Sequence, residues 1–167
     1  MVKFKTFVTI IVFFLLSFLF DSQISLLLGD LLPRPFLFSS HMSLIILLYL
    51  EKRFSSPSLY FVSFLLGLVT DSYFFHTVGL TVLIYPLLVY LVKRHSGLLE
   101  IGFLRFLMFL TLILLSELGA YGFANIYDLT KYPIDFEINY HLMPTLVFNS
   151  MLYVLIHPLF KTVTEKN

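Results

Sequence analysis

Six side chains in this sequence are candidates for chemistry because they interrupt runs that are otherwise apolar: Asp21, His41, Asp71, Glu117, Asn149 and His157. A carboxylate or imidazole held away from water can bind a proton or a cation. It is also expensive, roughly 2.5–3.5 kcal/mol for a central Asp on insertion scales, so such groups show where to look for function. Asp71 closes the stripe Ser63, Gly67, Asp71, spaced by four and therefore on one helical face. Small residues on that face let a second backbone approach closely, and Gly79 follows just after a tight turn that a residue without Cβ accommodates. Two readings stay open. The stripe is a corner for packing or partner binding, or Asp71 is an interfacial carboxylate capping the fourth helix with its charge facing water.

Glu117 lies beside a second four-spaced stripe, Ser116, Ala120, Ala124, and these two are the only alanines in the chain. The stripe predicts a close helix contact, with Glu117 either a proton or cation ligand or a protonated group hydrogen-bonded across it. We read it as structural. His41 and His157 stand alone on helical faces and read as hydrogen-bonded packing residues. Asn149 reads as interhelical glue, and Asp21, near a membrane face, is given no special role. No H-E-x-x-H or H-x-x-E-H pattern, P-loop, GxGxxG or G-x-S-x-G elbow occurs. Neither an Arg-rich voltage-sensor stripe nor a TVGYG-like filter is present. The sequence therefore predicts no catalytic residue, metal or cofactor.

The elements that must position these groups are long apolar runs. Of 167 residues, 59% are hydrophobic and 13% charged, where a soluble domain usually carries about a quarter charged. The charges fall in short gaps between runs near the roughly 20 residues that a crossing helix needs. We read six spans in a single transmembrane domain over 1–167: 7–28, 36–50, 58–75, 78–92, 103–123 and 140–160. Pro33 and Pro35 separate the first two. Ser55-Ser56-Pro57 opens the third, and His76-Thr77 leaves spans three and four a tight hairpin. Pro86 predicts a kink in the fourth, and Pro144 enters the first turns of the sixth.

Orientation follows from the Lys and Arg. With the N-terminus inside, Lys3, Lys5, Lys52, Arg53, Lys93, Arg94, Arg105, Lys161 and Lys166 all fall on inner segments, against only Arg34 and Lys131 outside. Both termini are thus expected in the cytoplasm. The outer segment before the last span is acidic and aromatic, with Asp128, Asp135 and Glu137 beside Tyr127 and Tyr132. Tyr49, Tyr60, Tyr90, Tyr121 and Tyr140 fall at span ends, as an aromatic belt does. A net charge of +1 argues against a nucleic-acid partner, and the absence of Cys removes disulfides and thiolate chemistry.

Several features together resemble the bacterial rod shape-determining MreD family. These are a length near 170, six helices after a short basic N-terminus, and Gly67-Leu68-Val69-Thr70-Asp71 followed by an aromatic stretch and Gly79. A final helix ending His157-Pro158-Leu159-Phe160 completes the likeness. The resemblance implies a non-enzymatic subunit of the cell-elongation machinery in the cytoplasmic membrane. It would be associated with a bitopic MreC-like protein and, through it, with MreB and peptidoglycan synthases. It further implies a fold similar to the substrate-binding S components of energy-coupling-factor vitamin transporters, which supplies the alternative function. Two absences favour the scaffold. Residues 1–28 hold no Ala or Gly of the kind an S component uses for docking, and few polar groups cluster toward the outer side. On this reading, Ser63, Gly67, Asp71, Gly79, Glu117 and Ala120 are the partner-binding or packing candidates. A membrane-embedded enzyme built on Asp71 or Glu117 is the third, weaker possibility.

Overall fold

The computed structural model describes residues 2–31, 33–72 and 79–165. Among these residues the chain is all-helical: α1 (Val2–Leu31), α2 (Met42–Leu50), α3 (Ser56–Thr70), α4 (Thr81–Arg94), α5 (Gly102–Ile126) and α6. The last runs through Ile134–Glu137, a π-helical turn at Ile138–Leu142, and Met143–Glu165. A short 3-10 turn, Ser96–Glu100, links α4 to α5. Three stretches, Ile11–Leu31, Gly102–Ile126 and Ile134–Phe160, are long and apolar enough to cross a membrane. Each is mostly exposed, and the large apolar side chains on their outsides (Leu16 60%, Leu155 70%) face outward while Asp21, Asp71, Glu117 and Asn149 face in. A chain folding in water would reverse that arrangement. This is a membrane protein.

The helices run longer than the apolar runs at the first, fifth and sixth positions, because helical hydrogen bonding continues past the apolar residues. The tight turn expected at His76-Thr77 lies outside the described residues, as does the end of the third span beyond Ser72. The second span differs most. The sequence predicts helix from Phe36, yet helix begins only at Met42 and α2 has nine residues, about 13 Å of rise. Residues 36–41 form no helix. Pro33 and Pro35 contribute no N–H, and the donors that follow are taken by distant helices. Leu37 N–H donates to the Tyr140 carbonyl at 2.8 Å, and Ser39 N–H to Thr145 Oγ1 at 3.1 Å. Ser40 N–H donates to Ser25 Oγ at 2.9 Å and His41 N–H to Asn149 Oδ1 at 2.8 Å. Non-helical backbone is tolerated inside an apolar bundle only when its groups are satisfied in this way.

Pro144 explains why Tyr140 is available. A helical residue at 144 would donate to the carbonyl of residue 140, but proline has no N–H. The π turn ends just before it, and the freed Tyr140 carbonyl accepts Leu37 instead. Asn149 clamps the same segment from the next turns, donating through Nδ2 to the Ser39 carbonyl at 2.6 Å and to the Thr145 carbonyl at 2.8 Å. Replacing Asn149 with Leu strands the His41 N–H and the Ser39 carbonyl, and should lower stability by about 2–3 kcal/mol. Thermal unfolding in detergent measures this. Ser150→Ala, one residue along, removes only a hydroxyl bonded to its own helix at Leu146 and should change little.

At the opposite end the core is aromatic. Phe109 stacks on Tyr153 at 5.2 Å, Tyr49 stacks on Phe160 at 5.3 Å, and the Arg105 guanidinium sits 4.7 Å from the Tyr49 ring centre. His157 Nδ1 pairs with the Tyr49 hydroxyl, in keeping with its reading as a packing residue. Lys93 Nζ ties the α2–α3 turn to α4, reaching the carbonyls of Glu51 and Phe54 and the Glu51 carboxylate at 3.3 Å. Lys52 lies 2.7 Å from Glu100 and holds that exposed carboxyl below its ordinary range; solvent screening leaves such a pair little effect on stability.

Candidate functional site

The polar side chains converge at one end of the bundle, where α1, α3 and α5 finish and α2, α4 and α6 begin. Two aspartates do the same job there. Asp21, in the second half of α1, accepts the N–H groups of Met42 and Ser43 at 2.6 and 2.9 Å and the Ser40 hydroxyl at 2.7 Å, capping α2. Asp71, one residue past α3, accepts from Gly79, Thr81 and Val82 N–H at 2.8, 2.7 and 3.2 Å and from the Thr81 hydroxyl at 2.7 Å, capping α4. Each carboxylate satisfies the orphan donors of the next helix and meets the positive end of its dipole. The capping reading of Asp71 thus describes its geometry. Its charge does not face water, however, because the residue is 0% exposed. Asp21 carries a role that the sequence reading did not give it, since its partners lie about twenty residues on.

Gly67 and Gly79 belong to the Asp71 corner. A Cβ on Gly67 would lie 2.5 Å from Val82 Cα, so the close approach that this stripe permits is made inside the chain, by α4. Gly79 has φ +125°, a conformation that side chains rarely adopt, and its N–H points at Asp71. Ser63 only returns its hydroxyl to the Tyr60 carbonyl. Asp71 is not joined to Glu117: it caps α4, while Glu117 lines a cavity together with Asp21 and the Asp71 partner Thr81. In α5 the tight contact belongs to Gly119, whose Cβ position lies 3.1 Å from Ile84, and Ala120 lines the cavity.

That cavity has a volume of about 470 Å³ and is open on one side. Hydroxyls of Ser22, Ser43, Thr70 and Tyr85 line it together with His41 and Glu117, and among the described residues no Lys or Arg does. The expectation of few clustered polar groups at this end is therefore corrected. The groups come from five parts of the chain, among them Asp21, Ser22 and Ser25 from α1 and Ser39, Ser40, His41 and Ser43 from the segment leading into α2 and its first turn, and no local window of sequence contains them all.

Glu117, 7% exposed, anchors one wall. His41 Nε2 meets its Oε1 at 2.7 Å, so His41 is not a lone packing histidine. On the other side His141 Nε2 stands 3.8 Å from Oε2. His141 Nδ1 meets Glu137 Oε1 at 2.7 Å, and its Nε2 meets the Ser39 hydroxyl at 2.9 Å. A carboxylate only accepts, so Nδ1 carries a hydrogen toward Glu137, and Nε2 faces Ser39 and Glu117. The result is an alternating row, Glu137, His141, Glu117, His41, leading from the start of α6 to the cavity. Glu137 and His141 were not singled out from sequence, although their i, i+4 spacing at the start of a helix was a legible sign.

The chain matches the family described as rod shape-determining protein MreD over residues 1–166. It is 38% identical over 154 residues to the cell shape-determining protein MreD of Streptococcus pneumoniae, covering 90% of this chain and 93% of that protein. No solved structure matches it. With a helical bundle, an apolar exterior and a match along nearly its whole length, the chain belongs to the MreD family of rod shape-determining proteins.

Proposed function

We propose that the protein is a non-enzymatic membrane scaffold in the cell-elongation machinery, a single transmembrane domain that holds an MreC-like bitopic partner by its membrane helix. The family match over residues 1–166 carries this reading. Physically, the interior is locked by trans-helix caps and side-chain clamps, while the apolar exterior is left for lipid or another helix. The partner's helix then meets that exterior, because Val82 already fills the space over Gly67. Six crossings with both termini cytoplasmic place the basic ends inside. The second crossing would be broken, with six extended residues adding about 20 Å to the short α2. Through the partner the scaffold would connect to MreB-like filaments and peptidoglycan synthases.

Affinity purification from native membranes tests the reading. An MreC-like protein and cell-wall synthases should co-purify in stoichiometric or near-stoichiometric amounts. A transporter's coupling subunit and ATPases in their place would refute it. One observation favours a second reading, the S component of a vitamin transporter: the cavity of about 470 Å³ is of ligand size. Tight stoichiometric binding of a vitamin by the purified protein would establish that alternative.

A further inference from the structure

We propose that Glu117 and His141 Nε2 ligate a divalent transition-metal ion of the zinc class, with Glu137 holding the imidazole from Nδ1 as an outer-shell carboxylate. One atom from each of the three side chains lies within 4.8 Å of the others. The Glu117 Oε2 to His141 Nε2 separation, 3.8 Å, is too long for a hydrogen bond. It is close to the roughly 3.4 Å that separates two ligand atoms each about 2.1 Å from a tetrahedral zinc. An ion entering there displaces the Ser39 hydroxyl from Nε2, 2.9 Å away, and draws the two side chains slightly together.

Three further features fit a metal better than a bare hydrogen-bonded network. The Glu117 carboxylate is steadied from behind by His41 at 2.7 Å, the kind of outer-shell support that ligating carboxylates have. Two carboxylates and one imidazole are brought together at the edge of an apolar bundle, where a 2+ ion would neutralise them. Glu117 also lines the open cavity, which gives hydrated ions a route and leaves room for a water as a further ligand. The nitrogen ligand selects the zinc class over magnesium or calcium, which prefer oxygen alone. None of this depends on the scaffold reading, since the cluster binds or fails to bind whichever partner the chain holds.

The test uses the full chain, purified in detergent without a histidine tag and stripped with a chelator. Zn²⁺ titration calorimetry should show one site per chain, unaffected by millimolar Mg²⁺. His141→Ala and Glu137→Gln should each weaken binding by roughly 10- to 100-fold or more. Co²⁺ in place of Zn²⁺ should give a visible absorption band that Glu137→Gln alters. That spectrum decides the matter even where His141→Ala fails to fold. Binding weaker than about 0.1 mM would overturn the proposal, leaving the cluster a hydrogen-bonded network. Tight binding indifferent to Glu137→Gln would overturn it too, by placing the ion elsewhere.

Discussion

Asp71→Ala should cost the folded chain about 3–5 kcal/mol, the size expected when a buried charged acceptor is removed and its donors are left stranded. Three backbone N–H groups lose their partner at once and the Thr81 hydroxyl is left with the Gly67 carbonyl alone, in a place where Asp71 itself is fully buried and water cannot substitute. Against a total of roughly 5–15 kcal/mol for a typical domain, the variant should accumulate poorly and lose its monodisperse peak in detergent at a much lower temperature. Asp71→Asn keeps one acceptor oxygen and the shape but turns an amide N–H₂ toward other donors; its cost should be nearer 1–3 kcal/mol. The pair separates two ideas about this residue. If Asp71→Ala were as heat-stable as the parent and lost only partner capture, the cap would be incidental and Asp71 a contact residue.

Gly67 should be nearly as sensitive. A Cβ there would come within 2.5 Å of Val82 Cα, 2.7 Å of Val82 N and 2.9 Å of the Thr81 carbonyl carbon. These are backbone atoms, which cannot rotate away, so α4 must move as a body. Its first turn is held by Asp71, and the shift would stretch those bonds as well. Gly67→Ala should cost about 2–3 kcal/mol, at the upper end of overpacking, and Gly67→Leu should prevent folding. Gly122→Ala is the control, with nothing within 4 Å of its Cβ position, and should not lower the unfolding temperature. Loss of partner binding in Gly67→Leu would then report loss of the fold. A Gly67→Ala protein with parental stability would contradict the geometry.

The same residues show what could be read from sequence. The Gly67 stripe and the Asp71 cap were legible because their partners follow within one turn of the chain, whereas the Ser116, Ala120, Ala124 stripe did not mark the tight contact of α5, which Gly119 makes. Hydropathy located six helices because crossing length and apolar composition are local properties. The unwound segment 36–41 was not legible. Its apolar residues Phe36, Leu37 and Phe38 look helical, and what holds them extended is Tyr140, Thr145 and Asn149, over a hundred residues away. The His41–Glu117 pair is likewise separated by 76 residues. Periodicity reports which face a side chain occupies; it carries no record of what stands across from that face. His141 was missed for this reason, and Asp21 was undervalued for the same one.

The dependence of segment 36–41 on α6 has a consequence for biogenesis. His41 and its acceptor Asn149 are 108 residues apart, and at about 5–20 residues per second the ribosome takes roughly 5–20 s to supply the second after the first. During that interval the N–H groups of Leu37, Ser39 and His41 lack their α6 acceptors, although Ser40 is already bonded to Ser25. Water, the insertion machinery or a chaperone must hold them until the final helix arrives. A nascent chain released early would carry exposed peptide groups into lipid, which marks unfinished copies for membrane proteases.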